Sequence, residues 1–251
     1  MTPNDITASM ALPPDARVDQ RVPKKLFLEQ GAPTAADKRL IQDGIEEVQW
    51  IAALKPVNIG VPAFKDDAHD YLEIAVLVAA LRPQAKEVRL IELIHRAIPY
   101  PLLLVTDLSG KSTVSAAHKR ASLGEGGKTV LEDEIIAVPL AEVASEHADA
   151  FKASLRLADQ PKTHLLAFYQ GWIDRLHALA AARLTGTYAL PQNSAQAAAR
   201  QAALADHARI MREVAGVRAK ATKETQINRR VDLNLAIQRL EAELSAAAKK
   251  L

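Results

Sequence analysis

The stretch YLEIAVLVAAL, Tyr71 to Leu81, decides the fold of this chain. It is nearly all apolar and rich in branched side chains. It lacks the alternation of apolar and polar residues that marks a strand with one solvent-exposed face. Such a run is typical of a central strand that other layers cover on both faces. The sequence around it must therefore supply neighbouring strands and amphipathic helices.

The segments on either side supply both kinds of element. Upstream, apolar and polar residues alternate from Glu47 to Lys55, which predicts a strand. Before that strand, Thr34 is placed to cap a short helix that ends near Gly44. Downstream, apolar residues recur at helical spacing from Ala85 to Ala97, which predicts one amphipathic helix.

Three short segments further along the chain predict an antiparallel meander. They are separated by turn-forming residues and run from Leu102 to Leu108, Thr113 to Arg120 and Lys128 to Val138. The element order α-β-β-α-β-β-β belongs to an α+β domain with a mixed or antiparallel sheet and two helices. We place this domain at residues 22–140.

The two ends of the chain have different patterns. Residues 1–21 are rich in Pro, Asp, Ala and Thr without an apolar period, which predicts a flexible arm. Residues 141–251 predict an all-helical C-terminal region that ends in a coiled-coil-like helix. The apolar residues of this helix recur at heptad spacing and form a stripe that we call the seam. They are Leu233, Ile237, Leu240, Leu244, Ala247 and Leu251. We expect the first four of these to form a helix interface, within this chain, with a second copy or with a partner.

Composition narrows the class of protein. The 251 residues include no cysteine, which excludes disulfides and thiolate metal sites. The first residues lack the basic start and apolar core of a signal peptide, and no apolar run reaches the ~18 residues that span a bilayer. We therefore expect a cytoplasmic protein that makes no membrane contact. The net charge is +2, so any basic surface must be local.

The stretch SLGEGGKT, Ser122 to Thr129, ends like a phosphate-binding loop. A P-loop has a glycine five residues before its last glycine, and this chain has Ser122 at that position. The residues after Lys128 are acidic or β-branched, which predicts a strand rather than a helix that would face phosphates. We therefore predict no nucleotide cofactor. We expect a hairpin loop with positive φ at Gly124, Gly126 and Gly127.

Two basic segments each have two interpretations. In the first, Lys119 and Arg120 either contact a nucleic-acid phosphate or form a solvated strand end that pairs with Glu125, Glu132 or Glu134. In the second, nine basic and four acidic residues lie between Arg200 and Arg239, a local charge of +5. That helix fits a DNA backbone or a solvated face with i,i+4 pairs. Its candidate contacts are Arg218, Lys220, Lys223, Arg229 and Arg230.

The acidic run from Asp66 to Asp70, which includes His69, has ligand types that suit magnesium, manganese or iron. The same composition is common in a solvated turn. A metal-dependent nuclease would require Asp66, Asp70 and Glu73 to converge in space, and no acid-x-Lys pair follows them. The chain also lacks HExxH and GxSxG motifs. We assign no catalytic residue and no metal, and an enzyme is the less favoured class.

Five segments resemble the bacterial domain-of-unknown-function family 4391, and the resemblance extends from about Val22 to the C-terminus. They are KPVNIGVPAF (residues 55–64), YLEIAVLVAAL (71–81), AHKR (117–120), YQGWIDRLHALAAARLTG (169–186) and NRRVDLNLAIQRLEAEL (228–244). The resemblance implies an accessory component encoded beside a large helicase and a DNA methyltransferase in restriction-like phage-defence loci. It brings no catalytic residues to carry over.

We therefore expect a non-enzymatic accessory or adaptor protein. Its C-terminal helices would bind a protein partner, a second copy or DNA, and the implied protein partner is a helicase or methyltransferase subunit. One alternative is a divergent metal-dependent nuclease. Another is a nucleic-acid-binding module that uses the basic C-terminal helix.

Overall fold

The computed structural model describes residues 1–124 and 128–251, and they form two compact units. The first unit is Met1–Leu176 and the second is His177–Leu251. This division differs from the predicted boundary at residue 140, because the next segments are tied to the sheet domain. The amide of Leu157 donates to the Met10 carbonyl at 3.1 Å, and that of Leu165 donates to Pro62 at 2.8 Å.

A six-stranded mixed sheet forms the centre of the first unit, which confirms the predicted α+β class. Its strands are β1 (Arg17–Arg21), β2 (Ile45–Leu54), β5 (Ile74–Leu81), β6 (Leu102–Leu108), β7 (Lys111–Ala116) and β10 (Ile136–Pro139), and they lie side by side in that order. Neighbours are antiparallel except for the parallel pair β5 and β6. A parallel pair needs a crossover, and helix α5 (Glu87–Ala97) provides it.

The predicted central strand is β5, with neighbours on both sides and residues buried on both faces. On one face, Ala75 and Leu77 pack in a core with Phe27, Ile41 and Leu90. These three residues come from α2 (Lys24–Gln30), α3 (Ala35–Gly44) and α5. On the other face, Ile74 and Val76 have no exposed surface. The two predicted helices are thus present as α3 and α5, with α2 in addition.

The prediction of a flexible arm at residues 1–21 was wrong. These residues form α1 (Pro3–Ser9), a short 3-10 helix (Pro14–Ala16) and strand β1, which pairs with β2. Ile6 and Met10 are fully buried. The Pro and Asp residues suggested disorder, but two of them stabilise the start of α1. Pro3 is its first residue, and Asp5 forms a capping box with Thr2.

The predicted meander is present as β6, β7 and β10, with one insertion. Between β7 and β10 the chain forms a separate hairpin of β8 (Lys119–Ala121) and β9 (Thr129–Leu131), and upstream β3 (Phe64–Lys65) pairs with β4 (Asp70–Tyr71). Gly126 and Gly127 lie outside the described residues. The prediction of a positive φ at Gly124 was wrong, because the φ angle of Gly124 is not in the positive range.

The remaining elements are helical. They are α4 (Pro56–Ile59), 3-10 turns at Leu140–Glu142 and Leu157–Asp159, α6 (Ser145–Ser154), α7 (Leu165–Thr185), α8 (Ser194–Lys223) and α9 (Ile227–Ala248). The division between the units falls within α7. None of the described helices is long and apolar enough to cross a membrane.

One apolar cluster of the second unit lies between α8 and α9, which are joined by a three-residue turn and run antiparallel as a hairpin. Ile210 and Val214 of α8 are buried with Ala247 of α9, and Leu240 and Leu244 pack against them. Alanine is the most frequent residue of α8, and only these few larger side chains form the apolar contact between the two helices.

Candidate functional site

The predicted helix interface lies between two helices of the same chain. Leu233, Ile237, Leu240 and Leu244 are half-buried on α9, and Leu240 and Leu244 pack against residues of α8. Heptad spacing indicates that a helix has a partner but does not identify which helix it is. The seam is thus largely covered within the hairpin, and only the half-exposed parts of its residues are open to another molecule.

The outer face of α9 exposes a second apolar stripe. Ile227, Val231 and Leu235 are 69%, 51% and 48% exposed. Their spacing of four residues places them on one face of the helix. At 3.6 residues per turn this stripe points about 160° away from the seam. The first half of α9 therefore has apolar residues on two opposite faces, and only one of these faces is covered by α8.

Four exposed cationic side chains lie at the same end of the hairpin, close to the turn between α8 and α9. Lys220 and Lys223 at the end of α8 and Arg229 and Arg230 at the start of α9 are exposed. Within the described chain none of the four has a carboxylate partner. Arg218 differs, because its guanidinium pairs with Glu241 across the hairpin.

We call this surface the hairpin end. It is formed by Lys220, Lys223, Ile227, Arg229, Arg230, Val231 and Leu235. The exposed positions combine branched aliphatic side chains with unpaired positive charge. They include no aromatic side chain on which a base could stack.

Lys119 is not a surface residue, so neither interpretation of it was right. It is 3% exposed, and its Nζ donates to the carbonyls of His95 and Ile98 at the end of α5. Burial lowers the pKa of Lys119 to about 7. Arg120 is half-buried, and its Nη1 donates to the Ala121 carbonyl at 3.1 Å. Glu132, an expected partner of this basic run, instead contacts His69.

A partly buried chain of hydrogen bonds connects three of the segments that carry the family resemblance. The Lys119 amide donates to the Tyr71 hydroxyl at 3.2 Å, and that hydroxyl donates to Nδ1 of His118 at 2.6 Å. Nε2 of His118 then donates to Oε1 of Gln170 at 2.7 Å. Nε2 of Gln170 donates to Asp174 at 2.8 Å. This order places the proton of His118 on Nε2.

The electrostatics of this chain indicate a structural role. Burial lowers the pKa of His118, which agrees with a neutral ring that accepts at one nitrogen and donates at the other. Both ring nitrogens are already occupied by protein groups. The chain joins β4, β8 and α7 and satisfies polar groups that burial would otherwise leave unpaired. Sequence reasoning missed it, although His118 and Gln170 stand within the quoted AHKR and YQGW segments.

The acidic loop does not form a common centre. Asp66 lies 3.1 Å from His69, Asp70 lies 3.1 Å from Lys65, and Glu73 lies 3.1 Å from Lys55. Among the described residues there is no group of three or more His, Asp or Glu side chains that could hold a metal ion. The convergence that the nuclease alternative requires is thus not found.

His69 instead links the acidic loop to the β8–β9 hairpin. Its Nδ1 donates to Asp66 at 3.1 Å, and its Nε2 donates to Glu132 at 3.0 Å. Burial alone would lower the pKa of His69, but its hydrogen bonds with the two carboxylates outweigh this and raise that pKa. Between the same two segments, the amide of Ala121 donates to the Ala68 carbonyl at 2.6 Å.

Comparison with known proteins identifies a family without an assigned activity. A search of curated proteins and a search of solved structures found no match. A family model matches residues 10–244, and its description is "Domain of unknown function (DUF4391)". The match includes nearly the whole sheet domain and most of the helical hairpin. This chain therefore belongs to the DUF4391 family.

Proposed function

We propose that this protein is a non-enzymatic, cytoplasmic accessory component that binds an acidic surface of a protein partner through the hairpin end. A single observation carries the proposal. An exposed aliphatic stripe, Ile227, Val231 and Leu235, lies at the same end of the hairpin as four cations that have no carboxylate partner in the described chain. Exposed apolar residues grouped on one helix face are typical of an interaction surface.

The stripe supports the mode of binding that we propose. Residues spaced by four on one helix face are the anchors of a helix that lies in an apolar groove. The cations at the same end of the hairpin would meet acidic residues at the rim of that groove and speed association. Val231 is at the centre of the surface, where anchors contribute most of the binding energy.

The identity of the partner follows from the resemblance described above. Family members are expected beside a helicase and a DNA methyltransferase, so we propose that the partner is a subunit of one of these enzymes. The protein would then serve as an adaptor in a restriction-like phage-defence system. The hairpin end would supply the contact, and the sheet domain would form the body of the adaptor.

DNA binding is the second candidate, and the same four cations support it. Phosphate contacts require positive charge but no aliphatic surface. DNA would therefore explain Lys220, Lys223, Arg229 and Arg230 and would leave the stripe without a role. For this reason we place protein binding first.

The experiment uses the full chain and the purified helicase and methyltransferase encoded beside it. Val231→Ser should weaken binding to the partner at least about tenfold, or ~1.4 kcal/mol, because it removes a central apolar anchor. The matched control is Val57→Ser, because Val57 is 90% exposed but lies in the first unit. This control should bind normally.

Two further results separate the candidates. Replacing Lys223 and Arg230 by Glu should slow association with the protein partner and make it less sensitive to salt. Binding that disappears after nuclease treatment, together with a normal Val231→Ser variant, would support the DNA candidate. If neither enzyme binds the wild-type chain, and DNA does not bind at moderate salt, both candidates are wrong.

A further inference from the structure

A groove of about 550 Å³ runs between α8 and α9. Its apolar floor consists of Gly216 and Val217 from α8 and Ala236 and Leu240 from α9. Gly216 makes the groove wide on the α8 side, where an added Cβ would meet no atom within 4 Å. Small residues that border a larger one form the kind of gap that accepts a ridge of side chains from another helix.

The groove is a different surface from the aliphatic stripe of the hairpin end. Its α9 residues point about 130° away from the direction of Ile227, Val231 and Leu235 around the helix axis. Lys220 lies at the border between the two surfaces. A molecule in the groove therefore leaves the stripe uncovered, and the two surfaces can be tested separately.

Positively and negatively charged residues lie at opposite ends of the groove. The pair between Arg218 and Glu241 shows which residues of the two antiparallel helices face each other. Lys220 and Arg239 both lie on the side of that pair nearer the turn. Glu213 and Glu243 both lie on the side away from the turn. One end of the groove is thus positive and the other is negative, about 10 Å apart along α8.

Most of these charges have no partner in the described part of the chain. Lys220, Arg239 and Glu243 form no ion pair there. Glu213 lies 3.5 Å from Arg209 of its own helix, and both of these side chains are about half exposed. Exposed pairs of this kind contribute little, so Glu213 remains able to meet a second cation.

We propose that the groove is the interface of a homodimer, in which the same face of a second copy packs against it around a two-fold axis. In a two-fold interface each surface meets itself rotated by half a turn. The positive end of one groove then meets the negative end of the other. Val217 and Leu240 of both copies would form the centre, and the two hairpins together would form a four-helix bundle.

Charge reversal tests this arrangement in the full-length protein. Wild type should be a dimer by analytical ultracentrifugation at about 100 µM, where a micromolar dissociation constant gives nearly complete association. An acidic variant with K220E and R239E, and a basic variant with E213K and E243K, should each be monomeric, because like charges then meet at both ends. An equimolar mixture of the two should form a heterodimer.

The controls use residues close to the groove but outside it. Val231→Ser and Lys223→Glu should leave the dimer unchanged, and all variants should keep the helical circular dichroism of wild type. A wild type that is monomeric at about 100 µM overturns the proposal. So does a mixture of acidic and basic variants that stays monomeric. Loss of partner binding in Val231→Ser with an intact dimer would show that the two surfaces are independent.

Discussion

Replacing Lys119 by Met should remove a rise in stability between pH 7 and pH 9. The Lys119 amine is buried, and its two hydrogen-bond acceptors, the carbonyls of His95 and Ile98, carry no formal charge. A neutral amine has two N–H groups, which is one for each carbonyl. Burial lowers the pKa of Lys119 from 10.5 to about 7, so deprotonation removes the cost of burying a charge.

The sign and size of the effect follow from the two protonation states. The folded pKa is lowered, so the stabilisation is complete above the unfolded pKa of about 10.5 and is lost as the pH falls through the folded pKa. Between pH 7 and pH 9 the unfolded chain keeps a proton that the folded chain releases. The free energy of unfolding should therefore rise by about 2 kcal/mol over this interval.

Urea unfolding followed by tryptophan fluorescence measures this free energy at pH 7, 8 and 9. Lys119→Met should be less stable at every pH, because two buried carbonyls lose a donor, but its stability should change little with pH. Lys111→Met is the matched control, since Lys111 is exposed at the start of β7. The reasoning is refuted if Lys119→Met and wild type show the same pH dependence within about 0.5 kcal/mol.

Trp172→Ala should lower the free energy of unfolding by about 3–5 kcal/mol in urea titrations, because the ring is fully buried; a loss below about 1 kcal/mol would contradict that burial. Tyr169→Phe should cost about 1–3 kcal/mol, because its hydroxyl accepts from the Ala117 amide at 3.0 Å and donates to the Leu102 carbonyl at 2.7 Å. A thermal midpoint equal to that of wild type would show that water replaces the hydroxyl. The pKa of His69 in an NMR titration should lie above its ordinary 6.5 and fall in Glu132→Gln. Because this pKa is raised, the stabilisation is present below pH 6.5 and is lost as the pH rises through the folded value. Glu132→Gln should therefore destabilise more at pH 6 than at pH 8.5, and equal losses at both pH values would contradict the imidazolium.

Much of the fold was predictable because burial leaves a local pattern. In three elements, a pattern within about ten residues shows which side chains are buried. These patterns are the uninterrupted apolar run of β5, the alternation of β2 and the helical spacing of α5. Residues 1–21 were mispredicted because their order depends on distant partners. β1 pairs with β2 some thirty residues later, and α1 contacts α6, which lies beyond residue 140. The amino-acid composition of residues 1–21 does not indicate contacts with residues that are distant in the sequence.

The candidate surfaces were predictable only in part, for the same reason. The seam of α9 was predicted from its spacing, but its partner, α8, depends on where the chain turns at residues 224–226. The exposure of Ile227, Val231 and Leu235 follows from the same turn, because α8 covers one face of α9 only. Lys119 was misplaced because a three-residue strand, β8, is too short for alternation to show which side chain points inward.

Strand β1 also protects the protein from unwanted self-association. It covers one side of β2, a ten-residue strand whose backbone groups would otherwise be free to pair with another chain. The outer side of β1 is a poor template, because Arg17, Asp19 and Arg21 are charged and the backbone bends at Asp19, where φ is 47°. Removing residues 1–21 would replace this charged, bent edge with a long and regular one. We expect such a shortened chain to aggregate during refolding even though most of its core residues remain.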